Sequence, residues 1–459
     1  MTARMESPRL ERAPGFVFRE LKRAGARIPA SRKGREKACP ELVEGWDSRS
    51  VLHCEEIPLP RLAEQFGTPL YVYSATAIRE CYRAFDAAFH ELPHTICYSV
   101  KANSNLSILR LLAKLGCGFD VVSSGELERV LSAHRRAAKK VVFSGVGKTR
   151  AELTAALKAG ILLFNVESES ELAALADCAQ ATKQLAPIAL RVNPDVAAKT
   201  HPYISTGLHQ HKFGIPIRDA RTLYARAASS KSLIVRGVSA HIGSQIIDVS
   251  PFGEAMARVA ELVRALRSDG YKIEFIDAGG GLGIAYEKAN AAEFSESVAT
   301  YARAIAEPLR DLNVQLLLEP GRSILGPAGA LITTVIYRKA NNGKQFVVVD
   351  AAMNDLIRPA LYGAYHEIEP VCLDDAAPRE VVDVVGPICE TGDFLARGRE
   401  LPRVKEGDLL AVLDAGAYGM VLSSNYNSRP RPAEVLVSRK SVKVIRRREK
   451  ISDLMRNEV

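Results

Sequence analysis

The chain has 459 residues, 47% hydrophobic and 25% charged, the balance of a globular protein long enough for two domains or one large barrel with additions. Its net charge of +9 is terminal: residues 1–50 and 439–459 each carry +5, leaving −1 between them, so the body shows no nucleic-acid-binding charge. No apolar run approaches the ~20 residues of a membrane-spanning helix, and eight scattered cysteines without a CxxC pair argue against a zinc site or a disulfide framework. With no apolar signal stretch at the N-terminus, the expected compartment is the reducing cytoplasm.

Residues 1–50 are polar, basic and without periodicity, which predicts a poorly ordered extension or an upstream start codon wrongly chosen. Residues 51–75, including EIPLPRLAEQFGTPLYVYS, read as a short helix and a strand that join a later β domain. Strand-like runs then recur with helical spacers: ICYSVKA, GFDVVSS, KVVFSG, LLFNVES, PIALRVN, VRGVSAHIGS, IEFIDAGGG and QLLLEPGRS. Eight consecutive strand–helix units over residues 76–323 predict an α/β fold, a (β/α)8 barrel, with a doubly wound open sheet as the alternative. From residue 324 the helical spacers fade. KQFVVVDAA, REVVDVVGPI, DLLAVLDAG, PAEVLVSRK and SVKVIRR alternate with turns and predict a mostly-β domain over 324–459. The run IRRREK (445–450) reads as a solvated end.

ICYSVKANSN (96–105) alternates Ile96, Tyr98 and Val100 with Cys97, Ser99 and Lys101, so a lysine falls on a face that should be buried. A buried ammonium is costly unless it is paired or neutralised. Barrel chemistry sits at the C-terminal ends of the strands. There the sequence offers Lys101, Asp120, Arg191, Asn193 and His241, then Gly279, Gly280 and Gly281, then Glu319 and Arg322. GGGLG after the seventh strand and EPGRS after the eighth match a phosphate position of such barrels, although a tight turn also explains a glycine run. A lysine near a phosphate and a buried carboxylate suits a Schiff base with a carbonyl cofactor. The plainer alternative is an ion pair with Asp120 or Glu319. Glu319 could hold a pyridine nitrogen protonated, and His241 could stack on the ring or serve as a structural hydrogen-bonder.

With YSVKAN, FDVVSSGEL, HIGSQ, GGGLGI, EPGRS, MNDLIRPALYGAYH, GPICETGD, DAGAYG and SNYNSRPRPAEVLV in order, the chain resembles the fold type III pyridoxal-phosphate decarboxylases over residues 55–445. Its motifs are most similar to the members that act on diaminopimelate. The resemblance implies pyridoxal 5'-phosphate carried on Lys101, with Asp120, His241 and Glu319 around its ring. Ser244, Gly280, Gly281, Gly321 and Arg322 would hold the phosphate. Arg322, Arg358, Tyr362, Glu390 and Tyr418 would contact substrate, Tyr418 lying near the cofactor as well, and Cys389 would donate a proton. It also implies a homodimer in which residues 389–393 reach the partner's site, and no metal.

The implied reaction converts meso-2,6-diaminopimelate to L-lysine and CO2. Its substrate has a second carboxylate, which suits an arginine fork, and a second ammonium, which suits an acid such as Glu390. Competing readings are an ornithine, arginine or carboxynorspermidine decarboxylase, a non-catalytic cofactor-binding relative, and a sugar-phosphate barrel enzyme with a Schiff-base lysine. Ornithine would leave Arg358 uncompensated. The non-catalytic reading predicts loss of Lys101 or Cys389, and both are present.

Overall fold

A computed structural model of the chain describes residues 16–20, 50–196, 212–287, 291–374 and 376–459. Most of the extension read as poorly ordered, residues 1–15 and 21–49, lies outside the described residues. Its described part, Phe16–Glu20, is a strand paired antiparallel with Ser50–Cys54. Contacts divide the chain into two compact units, Arg79–Ile284 with Ala292–Leu325, and Met1–Ile78 with Ala285–Ala291 and Gly326–Val459.

The first unit is a closed parallel barrel. Its strands are β1 (His94–Ser99), β2 (Gly118–Val121), β3 (Val141–Phe143), β4 (Leu163–Val166), β5 (Ala186–Asn193), β6 (Leu233–Ala240), β7 (Phe275–Asp277) and β8 (Gln315–Leu318). Each pairs in parallel with the next, and β8 returns to β1 through Leu318 opposite Ile96. An open doubly wound sheet would leave two of these strands unpaired on one side; here all eight are paired on both, and the short Ile215–Pro216 strand adds in parallel to the end of β5.

The intervening helices begin where the sequence supplies their caps. Ser123, Thr149 and Ser168 each accept a hydrogen bond from the backbone N–H three residues on, at Glu126, Glu152 and Glu171. Those acids sit in first helical turns, where the helix dipole favours a negative charge. Inside the barrel, Cys97, Val142, Leu163, Ala189, Phe275 and Leu317 form one buried apolar cluster. Six strands contribute to it, and side chains from opposite sides of a closed sheet can meet only in its interior.

The second unit is mostly β. Its large sheet runs in the order Phe394–Pro402, Arg379–Val385, Lys344–Val349, Gly329–Asn341, Leu70–Ser74, Ala433–Ser438 and Ser441–Arg446. Leu409–Val412 adds to Gly329–Asn341 and also pairs with Ile368–Pro370. Two features depart from the sequence reading. Gly329–Asn341, the longest strand, was not among the predicted runs; its first five residues are all buried, so it shows no alternation of apolar and polar positions there. The basic run at 445–450 is not simply solvated. Arg446 Nε meets the buried Glu434 carboxylate at 2.5 Å, and Arg448 Nη2 donates to the Pro69 carbonyl at 2.6 Å.

Leu317 is wholly buried in the interior cluster. Leu317→Ala is expected to destabilise the barrel by about 2–5 kcal/mol; urea unfolding, with the lowered midpoint compared to wild type, checks this.

Candidate active site

The strand ends of the barrel unit carry a connected polar layer. The first strand stops at Ser99, and Lys101 lies on the following short 3-10 turn, Val100–Ala102. The period-two pattern therefore placed Lys101 one step too far along the strand, and its side chain keeps 40% exposure rather than lying on a buried face. Nζ donates to Asp120 Oδ2 at 2.8 Å, and Ser99 Oγ donates to the same oxygen at 2.7 Å.

Across the barrel, Ser144 Oγ donates to Glu319 Oε1 at 3.2 Å. Asn165 Nδ2 donates to Ser144 Oγ at 3.1 Å and to Asp277 Oδ2 at 2.6 Å. Asp277 and Glu319 share a further hydrogen bond. Asp277 also accepts from the Gly279 N–H at 2.9 Å, while the Glu319 N–H donates to the Gly279 carbonyl at 2.7 Å.

Three buried acids thus share one end of the barrel, and their environments separate them. Burial alone would raise Asp120, but the Lys101 ammonium and the hydrogen bonds from Lys101 and Ser99 outweigh it and hold Asp120 below the usual carboxylate range. Burial raises Asp277. Burial raises Glu319 well above the carboxylate range, and the charges of Asp120 and Asp277 add to that. The layer therefore pairs one acid with Lys101 and shifts the other two upward, Glu319 the more strongly because its hydrogen bond with Asp277 raises Glu319 and lowers Asp277.

His241 receives the Gly280 N–H on Nδ1 at 3.1 Å, which fixes Nδ1 as an acceptor. Burial, with Arg191 and Lys101 nearby, pushes its pKa down to about 3, so the imidazole is neutral at physiological pH.

The glycine run has a backbone reason of its own. A Cβ at Gly280 would come within 2.1 Å of the Glu319 carbonyl oxygen, and one at Gly281, at φ +112°, within 2.3 Å of the Gly243 carbonyl. Gly321 packs against Ser99 and Ala102, where a Cβ would meet both side chains at 3.0 Å. Beside this turn, Arg322 Nη2 donates to Ser244 Oγ at 3.3 Å, bringing together two of the residues read as phosphate ligands. Arg191 and Asn193 are occupied differently. Arg191 Nη1 pairs with Glu167 Oε1 at 2.9 Å, and Asn193 Oδ1 accepts from the Asp195 N–H at 3.0 Å.

This donor set fits pyridoxal phosphate. It offers an amine held by a carboxylate, a buried acid shifted upward for a ring nitrogen, a neutral imidazole for a ring face, and a serine–arginine pair at a glycine turn for a phosphate.

The second unit carries the remaining predicted residues. Arg358 is 4% exposed and opens the short helix Arg358–Tyr362, which Gly363 ends in the left-handed conformation at φ +61°. Cys389 and Glu390 are exposed on a loop that buried Asp393 secures. Its Oδ1 accepts from the Met353 N–H and its Oδ2 from the Ile388 N–H, each at 2.7 Å. The Cys389 N–H donates to Asn427 Oδ1 at 3.0 Å, and a hydrogen bond to Glu390 raises the Tyr426 hydroxyl. Tyr418 sits at φ +56°, a conformation that costs a bulky residue of the order of 1–3 kcal/mol.

A barrel of this kind, with such a strand-end layer, defines the fold type III pyridoxal-phosphate class. Residues 75–326 match the family model described as pyridoxal-dependent decarboxylase, pyridoxal binding domain. The chain is 51% identical over 409 residues to a diaminopimelate decarboxylase of Neisseria meningitidis, covering 89% of this chain and 99% of that protein. It is 53% identical over 407 residues to one of Pseudomonas aeruginosa, covering 89% and 96%. A crystal structure of diaminopimelate decarboxylase from Helicobacter pylori complexed with L-lysine matches with a TM-score of 0.82, 42% identity and coverage of 87% and 99%. The chain belongs to the pyridoxal-dependent decarboxylases and, within them, to the diaminopimelate decarboxylase family. Its cofactor is pyridoxal 5'-phosphate.

Sequence reading missed Ser144, Asn165 and Asp277. The first two lie at the ends of the third and fourth strands, for which no inward polar residue was named, and Asp277 was overlooked for the glycines after it. It also missed His366 and Tyr286, which touch Arg358.

Asp414 is buried beside Glu367 and Arg358; burial, reinforced by Glu367, pushes its carboxyl up to about 7. An acid raised on folding makes the folded chain hold more protons than the unfolded one, so stability falls as pH rises from ~4 to about 7. Asp414→Asn is expected to stabilise by roughly 2 kcal/mol more at pH 8 than at pH 5; urea unfolding of both proteins at the two pH values checks this.

Proposed function

We infer that the chain decarboxylates meso-2,6-diaminopimelate to L-lysine and CO2, the closing step of lysine synthesis. The observation that carries the chemistry is the Lys101–Asp120 pair set against Glu319, whose carboxyl burial raises well above the usual carboxylate range. The similarity to diaminopimelate decarboxylases over 89% of the chain supports the substrate. Bound pyridoxal phosphate supplies an electron sink for the pair released when the bond between Cα and the carboxylate breaks.

The protein's own groups prepare that step. Asp120 holds the Lys101 amine at a fixed point through a 2.8 Å contact. Glu319, its carboxyl raised by burial, would share a proton with a ring nitrogen, and neutral His241 offers a flat face without adding charge. Ser244, Gly280, Gly281, Gly321 and Arg322 receive the phosphate. After CO2 leaves, Cα needs a proton, and the Cys389 thiol supplies it.

Arg322, Arg358, Tyr362, Glu390 and Tyr418 contact substrate. A guanidinium matches its second carboxylate and the Glu390 carboxylate its second ammonium. We further propose a cytoplasmic homodimer in which residues 389–393 serve the partner's site. The exposure of Cys389 and Glu390 on a secured loop supports this. No helix among the described residues is long and apolar enough to cross a membrane.

The test is lysine formation by purified, cofactor-loaded protein given meso-diaminopimelate, with ornithine and arginine alongside. Lysine from diaminopimelate alone is the expected result; a diamine from ornithine or arginine instead would overturn the substrate. Lys101→Ala is expected to abolish turnover in the same assay, and wild-type activity in that variant would sink the assignment. Cys389→Ala is expected to slow turnover by about 100-fold or more while the cofactor absorption band persists. An unchanged rate would transfer the proton to another acid.

A further inference from the structure

Two residues with no assigned role hold the Arg358 side chain. Arg358 Nη1 lies 2.9 Å from His366 Nε2. A guanidinium only donates, so Nε2 is the acceptor. The other ring nitrogen, Nδ1, stands 2.8 Å from the Leu413 carbonyl, which only accepts, so Nδ1 carries the hydrogen. These two contacts select one neutral tautomer of a wholly buried imidazole. Tyr286 supplies the second support. The Arg358 guanidinium carbon sits 4.8 Å from the centre of its ring, and that ring meets the His366 ring edge-on at 5.1 Å and 70°. The backbone of His366 is held in turn, its carbonyl accepting from Arg399 Nη1 at 2.9 Å.

The choice of partners matters. A carboxylate in either place would neutralise Arg358, whereas a neutral nitrogen and a ring face fix its plane while taking little of its charge. A bidentate contact to a carboxylate depends on that plane.

We propose that His366 and Tyr286 are positioning residues that orient Arg358 for the second carboxylate of the substrate. His366 sets the rotation of the guanidinium and Tyr286 sets its tilt. This rests on the reading of Arg358 as the group that receives that carboxylate.

The experiment compares two ligands of the cofactor-loaded enzyme by calorimetry: L-lysine, which keeps the carboxylate, and 1,5-diaminopentane, which lacks it. Kinetics with meso-diaminopimelate run in parallel. His366→Leu is expected to weaken lysine binding and raise KM about tenfold, to change kcat little, and to leave diaminopentane binding unaltered. His366→Gln, whose amide oxygen can stand where Nε2 accepts, is expected to recover most of the loss. Tyr286→Phe is expected to match wild type, and Tyr286→Leu to weaken lysine alone.

Unchanged lysine affinity in His366→Leu and Tyr286→Leu would overturn the positioning role. Equal losses for both ligands would also overturn it, since they mean general damage to the site. Arg358→Leu separates the two readings: if it leaves lysine binding intact, the assignment of Arg358 fails and takes the positioning role with it. If Arg358→Leu loses lysine while the His366 and Tyr286 variants do not, only the positioning role fails.

Discussion

Three carboxyl groups buried at one end of a closed barrel cannot all ionise, and the chemistry of this protein is organised around that constraint. An unpaired carboxylate in such surroundings costs several kcal/mol. The Lys101 ammonium, 2.8 Å from Asp120, stabilises one negative charge. Asp277 and Glu319 share a hydrogen bond and are both shifted upward by burial, with Asn165 donating to Asp277 and Ser144 to Glu319. The same arrangement yields an amine at a fixed place and an acid shifted upward by burial, two properties that suit a pyridoxal cofactor.

The backbone around these groups leaves little freedom. Glu319 is placed by its N–H bond to the Gly279 carbonyl, and its own carbonyl lies so close to Gly280 that any side chain there would collide with it. The glycine run is therefore first a condition for bringing the seventh and eighth strand ends together. His241 is tied to the same turn through the Gly280 N–H, so ring, acid and turn form one rigid set.

The second unit uses buried polar residues in a comparable way. Asp393 secures the loop that presents Cys389 and Glu390. His366 joins the Leu413 carbonyl to Arg358. The exposed Cys389 and Glu390 are thus carried on a loop whose anchor, Asp393, is almost wholly buried.

The sequence determined the parts that depend on local periodicity and on residue chemistry. Eight alternations of apolar strand and amphipathic spacer are legible because each element must bury one face, and Lys101, His241, Glu319 and Cys389 stand out because their chemistry is unusual at strand ends or in turns. Closure of the sheet was only one of two options in the sequence, since strand pairing joins residues far apart in the chain, such as Leu318 and Ile96. Gly329–Asn341 escaped notice because burial on both faces erases the alternation that marks a strand. The partners of the reactive groups were the least legible. Ser144, Asn165, Asp277, Tyr286 and His366 are ordinary residues whose roles arise from contacts across the barrel or between loops. Which acid is shifted upward, and which rings lie against an arginine, are decided by distance and burial, and those exist only once the chain has folded.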